Sequence, residues 1–142
     1  MGKPKFVYVT YIATTPEKLW EALTSSEFTR QYWDEGTLES DWNVGSAIKQ
    51  SGKHGSMSGV ILQYEPPHLL SYTFQSAGLK QDHASRVVFE IEHVGPTVKL
   101  TITHDELEID GLNVISRGWP AILSSLKSLL EGGSPLVYER WF

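Results

Sequence analysis

His104 is the residue in this sequence with the most chemistry open to it. It ends an alternating run, Val98, Leu100, Ile102 and His104, whose period of two sends all four side chains to one face of a strand. An apolar face is a core face, so the imidazole is expected inside, where a polar group needs a hydrogen-bond partner. Such a histidine can orient a ligand hydroxyl or carbonyl, or act as a base. At the end of a strand it can equally be a satisfied, inert core residue. The other histidines, His54, His68, His83 and His93, make no HxH or HxxxH pair, so no metal site is expected. Arg86 and Asp105 should meet across a hairpin as a surface ion pair. Asp34, Glu35, Glu39 and Asp41 read as an exposed acidic loop between helix and sheet. Ser124, Ser125 and Ser128 lie in no recognisable nucleophile motif. No residue is therefore given a catalytic role, and no cofactor is called for.

The aromatic side chains are the stronger lead. Trp20, Trp33, Trp42, Tyr72, Phe74, Phe89 and Trp119 are more than closing a small sheet requires. They either fill a solid core or line a pocket with a few polar groups, the usual form of a ligand site. The pocket reading assigns a lining of Leu62, Tyr72, Phe74, Phe89, Ile91, Leu100, Ile102, Trp119 and Leu123, with His104 as polar anchor. The partner would be a small hydrophobic or aromatic molecule.

The positioning elements follow from periodicity. Phe6 to Ala13 is rich in β-branched and aromatic residues and predicts a first strand. Thr15-Pro16 starts a short helix, with the hydroxyl as N-cap and proline at the first helical position. A second short helix over SEFTRQYW should bring Phe28, Tyr32 or Trp33 inward. Turn residues then recur every eight to twelve positions, predicting strands over Thr37 to Ser40, Ser46 to Gln50, Met57 to Tyr64 and Leu69 to Gln75. Within the third of these, Val60, Leu62 and Tyr64 are expected on the inner face. Ser85 to His93 and Thr97 to Leu107 form a hairpin turning at Gly95-Pro96. One register satisfies its apolar positions, with His93 opposite Val98, Ile91 opposite Leu100, Phe89 opposite Ile102 and Val87 opposite His104.

The last apolar stretch, Leu112 to Leu130, has helical spacing through Leu112, Ile115, Trp119, Ile122, Leu126 and Leu129. Gly118-Trp119-Pro120 interrupts it, so the helix either kinks there after beginning near Asn113, or begins at Trp119. The continuing stripe favours the kink. Gly132-Gly133 should terminate the helix, and the tail SPLVYERWF either packs back or stays partly mobile.

Composition bounds the remaining classes. A chain of 142 residues with 40% hydrophobic and 20% charged residues reads as a soluble globular domain. No apolar run approaches the ~20 residues of a membrane span, so membrane insertion is not expected. The net charge of −5, without a basic stripe, makes nucleic acid an unexpected partner. The absence of cysteine and of a targeting pattern near the N-terminus points to the cytoplasm.

The runs TPEKLWEALTSSE, DWNVGS, GVILQYEPPHLLSYTF and GWPAILSSLKSLLEGG, in that order, resemble the activator of heat-shock-protein-90 ATPase homologue family, within the START-like or SRPBCC superfamily. The resemblance implies an α+β helix-grip fold and a single START-like domain over residues 1–142. A curved antiparallel sheet of about seven strands, with two short helices, would hold a long C-terminal helix over a hydrophobic cavity. Family members also include co-chaperones, so a chaperone-linked interaction module is the second functional expectation, and a cyclase- or hydrolase-like enzyme the third. The eukaryotic co-chaperones carry an additional N-terminal chaperone-binding domain to which no part of this sequence corresponds. The expected assembly is a monomer or weak homodimer.

Overall fold

A computed structural model describes residues 4–136; the tail VYERWF and the first three residues lie outside the described residues. The elements are β1 (Phe6–Ile12), α1 (Pro16–Thr24), α2 (Ser26–Tyr32), β2 (Thr37–Ser40), β3 (Ala47–Ser51), β4 (Ser56–Glu65), β5 (Leu69–Phe74), β6 (Ser85–Val94), β7 (Thr97–Asp105) and α3 (Ile109–Gly132). One short 3-10 turn, Ala77–Leu79, was not foreseen from the sequence. The seven strands form one antiparallel sheet in the order β1-β7-β6-β5-β4-β3-β2. Strands β2 to β7 are a meander of neighbours. β1 joins at the far edge, because α1 and α2 carry the chain across the sheet before β2 begins. This is the expected α+β helix-grip layout, with α3 packed on the inner face.

Local chemistry accounts for the element ends. The Thr15 hydroxyl accepts from the Lys18 amide at 3.2 Å, capping α1 before its N-terminal proline. The β6–β7 hairpin has the expected register at every pair from Val87–His104 to His93–Val98. It turns through Gly95, at φ 58°, a left-handed conformation that suits glycine at the start of a two-residue loop. Helix α3 begins at Ile109, earlier than Asn113, and continues through Pro120, so a start at Trp119 is ruled out. Gly133, at φ 82°, closes it and donates to the Leu129 carbonyl. The chain after it folds back, the Leu136 amide donating to the Ser125 hydroxyl at 3.2 Å.

The core lies between sheet and helix. Ile115, Trp119, Ile122, Leu123, Leu126 and Leu129 of α3 are buried against Val87, Phe89, Ile91, Val98, Leu100 and Ile102 of the hairpin. The far end of α3 is tied to β1 and to the residue after it: Lys127 Nζ donates to the Tyr11 carbonyl at 2.7 Å, and Glu131 accepts from the Ala13 amide at 2.8 Å. Among the described residues no helix is long and apolar enough to cross a membrane.

Strand β4 departs from the expected alternation. Ile61 pairs with Tyr72 and Gln63 with Ser71, which leaves Leu62 as the extra residue of a β-bulge. Successive side chains Leu62 and Gln63 consequently both face outward. Val60 and Leu62 are 42% and 38% exposed, whereas Met57 and Ile61 are buried. Leu62 therefore does not line the interior, and of the expected trio only Tyr64 packs against the core. Gly59 adds a second irregularity, since a Cβ there would sit 1.8 Å from the Thr73 carbonyl oxygen. The bulge is testable by urea unfolding. Leu62→Ser should change stability by no more than about 0.5 kcal/mol, while Ile61→Ala should cost about 2–5 kcal/mol. Equal losses would contradict the outward turn at Leu62.

Candidate functional site

His104 ends the inward row of β7 and is fully buried. Its two ring nitrogens serve different elements. Trp119 Nε1–H on α3 donates to His104 Nδ1 at 2.9 Å, and His104 Nε2 lies 2.7 Å from Ser85 Oγ on β6. Ser85 Oγ–H in turn donates to the Phe74 carbonyl on β5 at 2.6 Å. An indole N–H only donates, so Nδ1 must carry the lone pair and the proton of a neutral ring must be on Nε2. The bonds then run one way: Trp119 to His104, His104 to Ser85, Ser85 to the Phe74 carbonyl.

Burial lowers the His104 pKa to about 3, with the nearby Asp105 charge acting weakly in the opposite sense. The ring is thus neutral at physiological pH. This polarity is the reverse of that in a serine nucleophile, where Nε2 must accept the serine proton. Ser85 and His104 are within hydrogen-bond reach, yet as arranged the histidine already holds a proton on the nitrogen facing the hydroxyl.

Aromatic rings surround the relay. Trp119 is in ring contact with Trp33 at 5.3 Å, Phe89 at 5.7 Å and Phe74 at 6.1 Å between centroids. Phe74 meets His104 edge-on at 5.0 Å, and Tyr72 packs on Phe89 at 5.8 Å. Desolvation pushes the Tyr72 hydroxyl pKa well up, so it too is neutral. Of the residues expected to surround a ligand, Tyr72, Phe74, Phe89, Ile91, Leu100, Ile102, His104, Trp119 and Leu123 are all buried in this one core, and Leu62 is outside it. Trp20 and Trp42 belong elsewhere; both pack on Tyr64, at 5.4 and 6.0 Å.

A small cavity of about 20 Å³, room for one water, adjoins this cluster. Trp33, Met57 and Phe74 supply its apolar lining and Gln50 its buried amide. Gln50 Nε2 donates to the Trp33 carbonyl at 3.3 Å. Asp34, expected in a solvated acidic loop, instead lines the cavity with its side chain only 8% exposed. Its carboxylate accepts from the His54 amide at 2.8 Å and lies 2.6 Å from His54 Nδ1, so it clamps the β3–β4 loop beside the cavity. The Arg86–Asp105 pair lies on the outer face as expected, with Nε to Oδ1 at 2.9 Å.

Sequence reasoning placed His104 and Trp119 inside but missed Ser85, Gln50 and the contact of Trp33 with Trp119. Ser85 was within reach, because it shares the parity of Val87 and Phe89. Gln50 and Trp33 carry no comparable periodic signal.

The neutral buried ring has a pH consequence. Its folded pKa lies below the unfolded value of 6.5, so between pH 6.5 and about 3 the unfolded chain takes up a proton that the folded chain does not. The stability contribution is complete above pH 6.5 and is lost as pH falls, at up to about 1.4 kcal/mol per pH unit. Comparing urea unfolding at pH 7 and pH 5, the wild-type protein should lose about 2 kcal/mol more than His104→Gln. Parallel losses would refute the assignment.

Known proteins add a family and a fold. No curated protein sequence matches the chain. The Aha1 dimer from Colwellia psychrerythraea superposes with a TM-score of 0.80 at 22% identity, over 92% of this chain and 98% of that one. PFC0360w, described as an HSP90 activator from Plasmodium falciparum, gives 0.77 at 21% identity, over 89% and 95%. DynU16, from the dynemicin biosynthetic locus, gives 0.81 at 18% identity, over 94% of this chain and 49% of that one. At these identities the likeness establishes the helix-grip fold. Residues 13–131, most of the sequence and every element from α1 to the last turn of α3, match a family in their own right, and the chain belongs to it: the Activator of Hsp90 ATPase homolog 1-like proteins.

Proposed function

We propose that this chain is a binding protein, one START-like domain that holds a small hydrophobic or aromatic molecule between the sheet and α3. The observation carrying the proposal is the position of the small cavity. Trp33 and Phe74 form its wall, and both are in ring contact with Trp119, so a single layer of rings separates it from the relay. A turn of Phe74 or Trp119 would join the cavity to the space those rings fill. Tyr72, Phe74, Phe89, Ile91, Leu100, Ile102, Trp119 and Leu123 would then wall the ligand, with His104 as its polar anchor. An apolar enclosure with one or two converging polar groups is the common form of a small-molecule site.

The backbone at Trp119 supports such a turn. Pro120 has no N–H to give the Ser116 carbonyl, so α3 lacks a rung within one turn of the indole. Catalysis has less support, given the proton on His104 Nε2 and the neutral ring. A chaperone-facing role would draw on the family's description and on that of the Plasmodium protein, at 21% identity. The Colwellia protein is described as a dimer; for this chain a monomer or weak homodimer is proposed.

Native mass spectrometry of gently purified protein should show an adduct that denaturation releases. Titration with that molecule should quench tryptophan fluorescence, and Trp119→Phe should remove most of the quench although four of the five tryptophans remain. An empty protein that quenches with no apolar probe, yet stimulates a chaperone ATPase, would sink the reading.

A further inference from the structure

The direction of the relay restricts what the interior can recognise. Three of its four groups, His104, Ser85 and the Phe74 carbonyl, sit on the adjacent strands β7, β6 and β5, whose ladders fix them. The fourth, Trp119, sits on α3 beside the missing rung at Pro120. If a ligand enters by displacing a member of the relay, that member is Trp119. Removal of the indole exposes one polar atom, His104 Nδ1, and that atom can only accept, because the ring proton is held on Nε2 by Ser85. Ser85 cannot easily reverse, since its own proton is committed to the Phe74 carbonyl at 2.6 Å.

We infer that the site selects ligands that donate a hydrogen bond: flat aromatic molecules bearing one O–H or N–H, phenol- or indole-like, which take the place of the Trp119 N–H on His104 Nδ1. The inference rests on the binding proposal above and narrows it to a chemical class. Ketones, ethers and carboxylates of the same shape would bring lone pair against lone pair and leave a buried acceptor unpaired. Such a mismatch costs a protein site about 10- to 100-fold in affinity. Burial also keeps the ring from becoming a two-donor imidazolium at neutral pH, with a pKa of about 3. The aromatic walls Phe74, Phe89 and Trp33, which now pack on the indole, set the flatness and size of its replacement.

A matched pair of probes tests this on the full chain. By calorimetry, 2-naphthol should bind at least 10-fold more tightly than 2-methoxynaphthalene, which has the same ring system without the donor. Nitrogen NMR should report a lone pair on His104 Nδ1 before and after 2-naphthol is added, while the Trp119 indole N–H signal loses its hydrogen-bonded shift. Ser85→Ala, which frees the ring to place its proton on either nitrogen, should shrink the preference for the naphthol. Equal binding of the two probes, or an unchanged Trp119 signal with naphthol bound, overturns the donor inference and leaves the binding proposal standing. Binding of neither probe, nor of naphthalene itself, overturns both. The NMR readout on wild-type protein decides the matter even if the Ser85 variant does not fold.

Discussion

A buried imidazole must satisfy two nitrogens with opposite needs, and the rest of this molecule is arranged around that requirement. His104 is wholly removed from water, where an unpaired nitrogen would cost about 1–3 kcal/mol. Its partners come from different elements: the serine from β6, the indole from α3. The apolar contacts between α3 and the sheet are numerous but non-directional, and they tolerate some rotation of the helix about its axis. The Trp119 N–H does not. It fixes the one rotation and one axial position at which an indole on α3 meets a ring on β7, so a directional bond gives a unique answer to a packing problem with several near-solutions.

That bond also explains how a proline survives inside the long helix. An interior proline costs about 3 kcal/mol in an ordinary exposed helix. Here the residue beside it is anchored from outside the helix, by the relay and by rings from the residue that follows α2, from β5 and from β6. Farther along, Lys127 and Glu131 tie α3 to β1 and to the residue after it. Tertiary contacts on both sides of Pro120 therefore hold a helix that its own hydrogen bonds hold less well. The C-terminal half of α3 is fastened by apolar burial and by Lys127 and Glu131, and the turn around Trp119 by apolar burial, ring packing and one directed bond.

Much of this was legible in the sequence, and the failures have identifiable causes. The β6–β7 register could be read pair by pair, because alternation ran unbroken through Val87, Phe89 and Ile91 and through Val98, Leu100, Ile102 and His104. The same rule failed in β4, where Val60, Ile61 and Leu62 are all apolar and either parity looks acceptable. The bulge at Leu62 resolved the choice for Ile61, and bulges leave no periodic trace. His104 and Trp119 were each placed inside, but their bond joins residues on different elements and no local pattern encodes it. Asp34 was misread because an acidic run usually means solvent. Its left-handed backbone, at φ 54°, turns the carboxylate back onto the β3–β4 loop, and residue type alone does not reveal that turn.

A core filled by its own aromatic rings is often taken to argue against ligand binding, but what matters is how the filling is held. Tyr72, Phe89 and Ile102 stand on central strands, and moving any of them would break ladder hydrogen bonds or bury a void. Trp119 is different, since its single polar contact is one that a foreign donor could reproduce and its backbone lacks a rung beside it. Displacing it exchanges one indole for another flat aromatic group, conserving most of the buried apolar area and the relay's hydrogen-bond count. The net cost then falls mainly on ordering the ligand and finding new surroundings for the indole. Such an exchange requires a neighbouring space into which rings can begin to move. The small cavity behind Trp33 and Phe74 lies where that movement would start, beside the β3–β4 loop that Asp34 clamps.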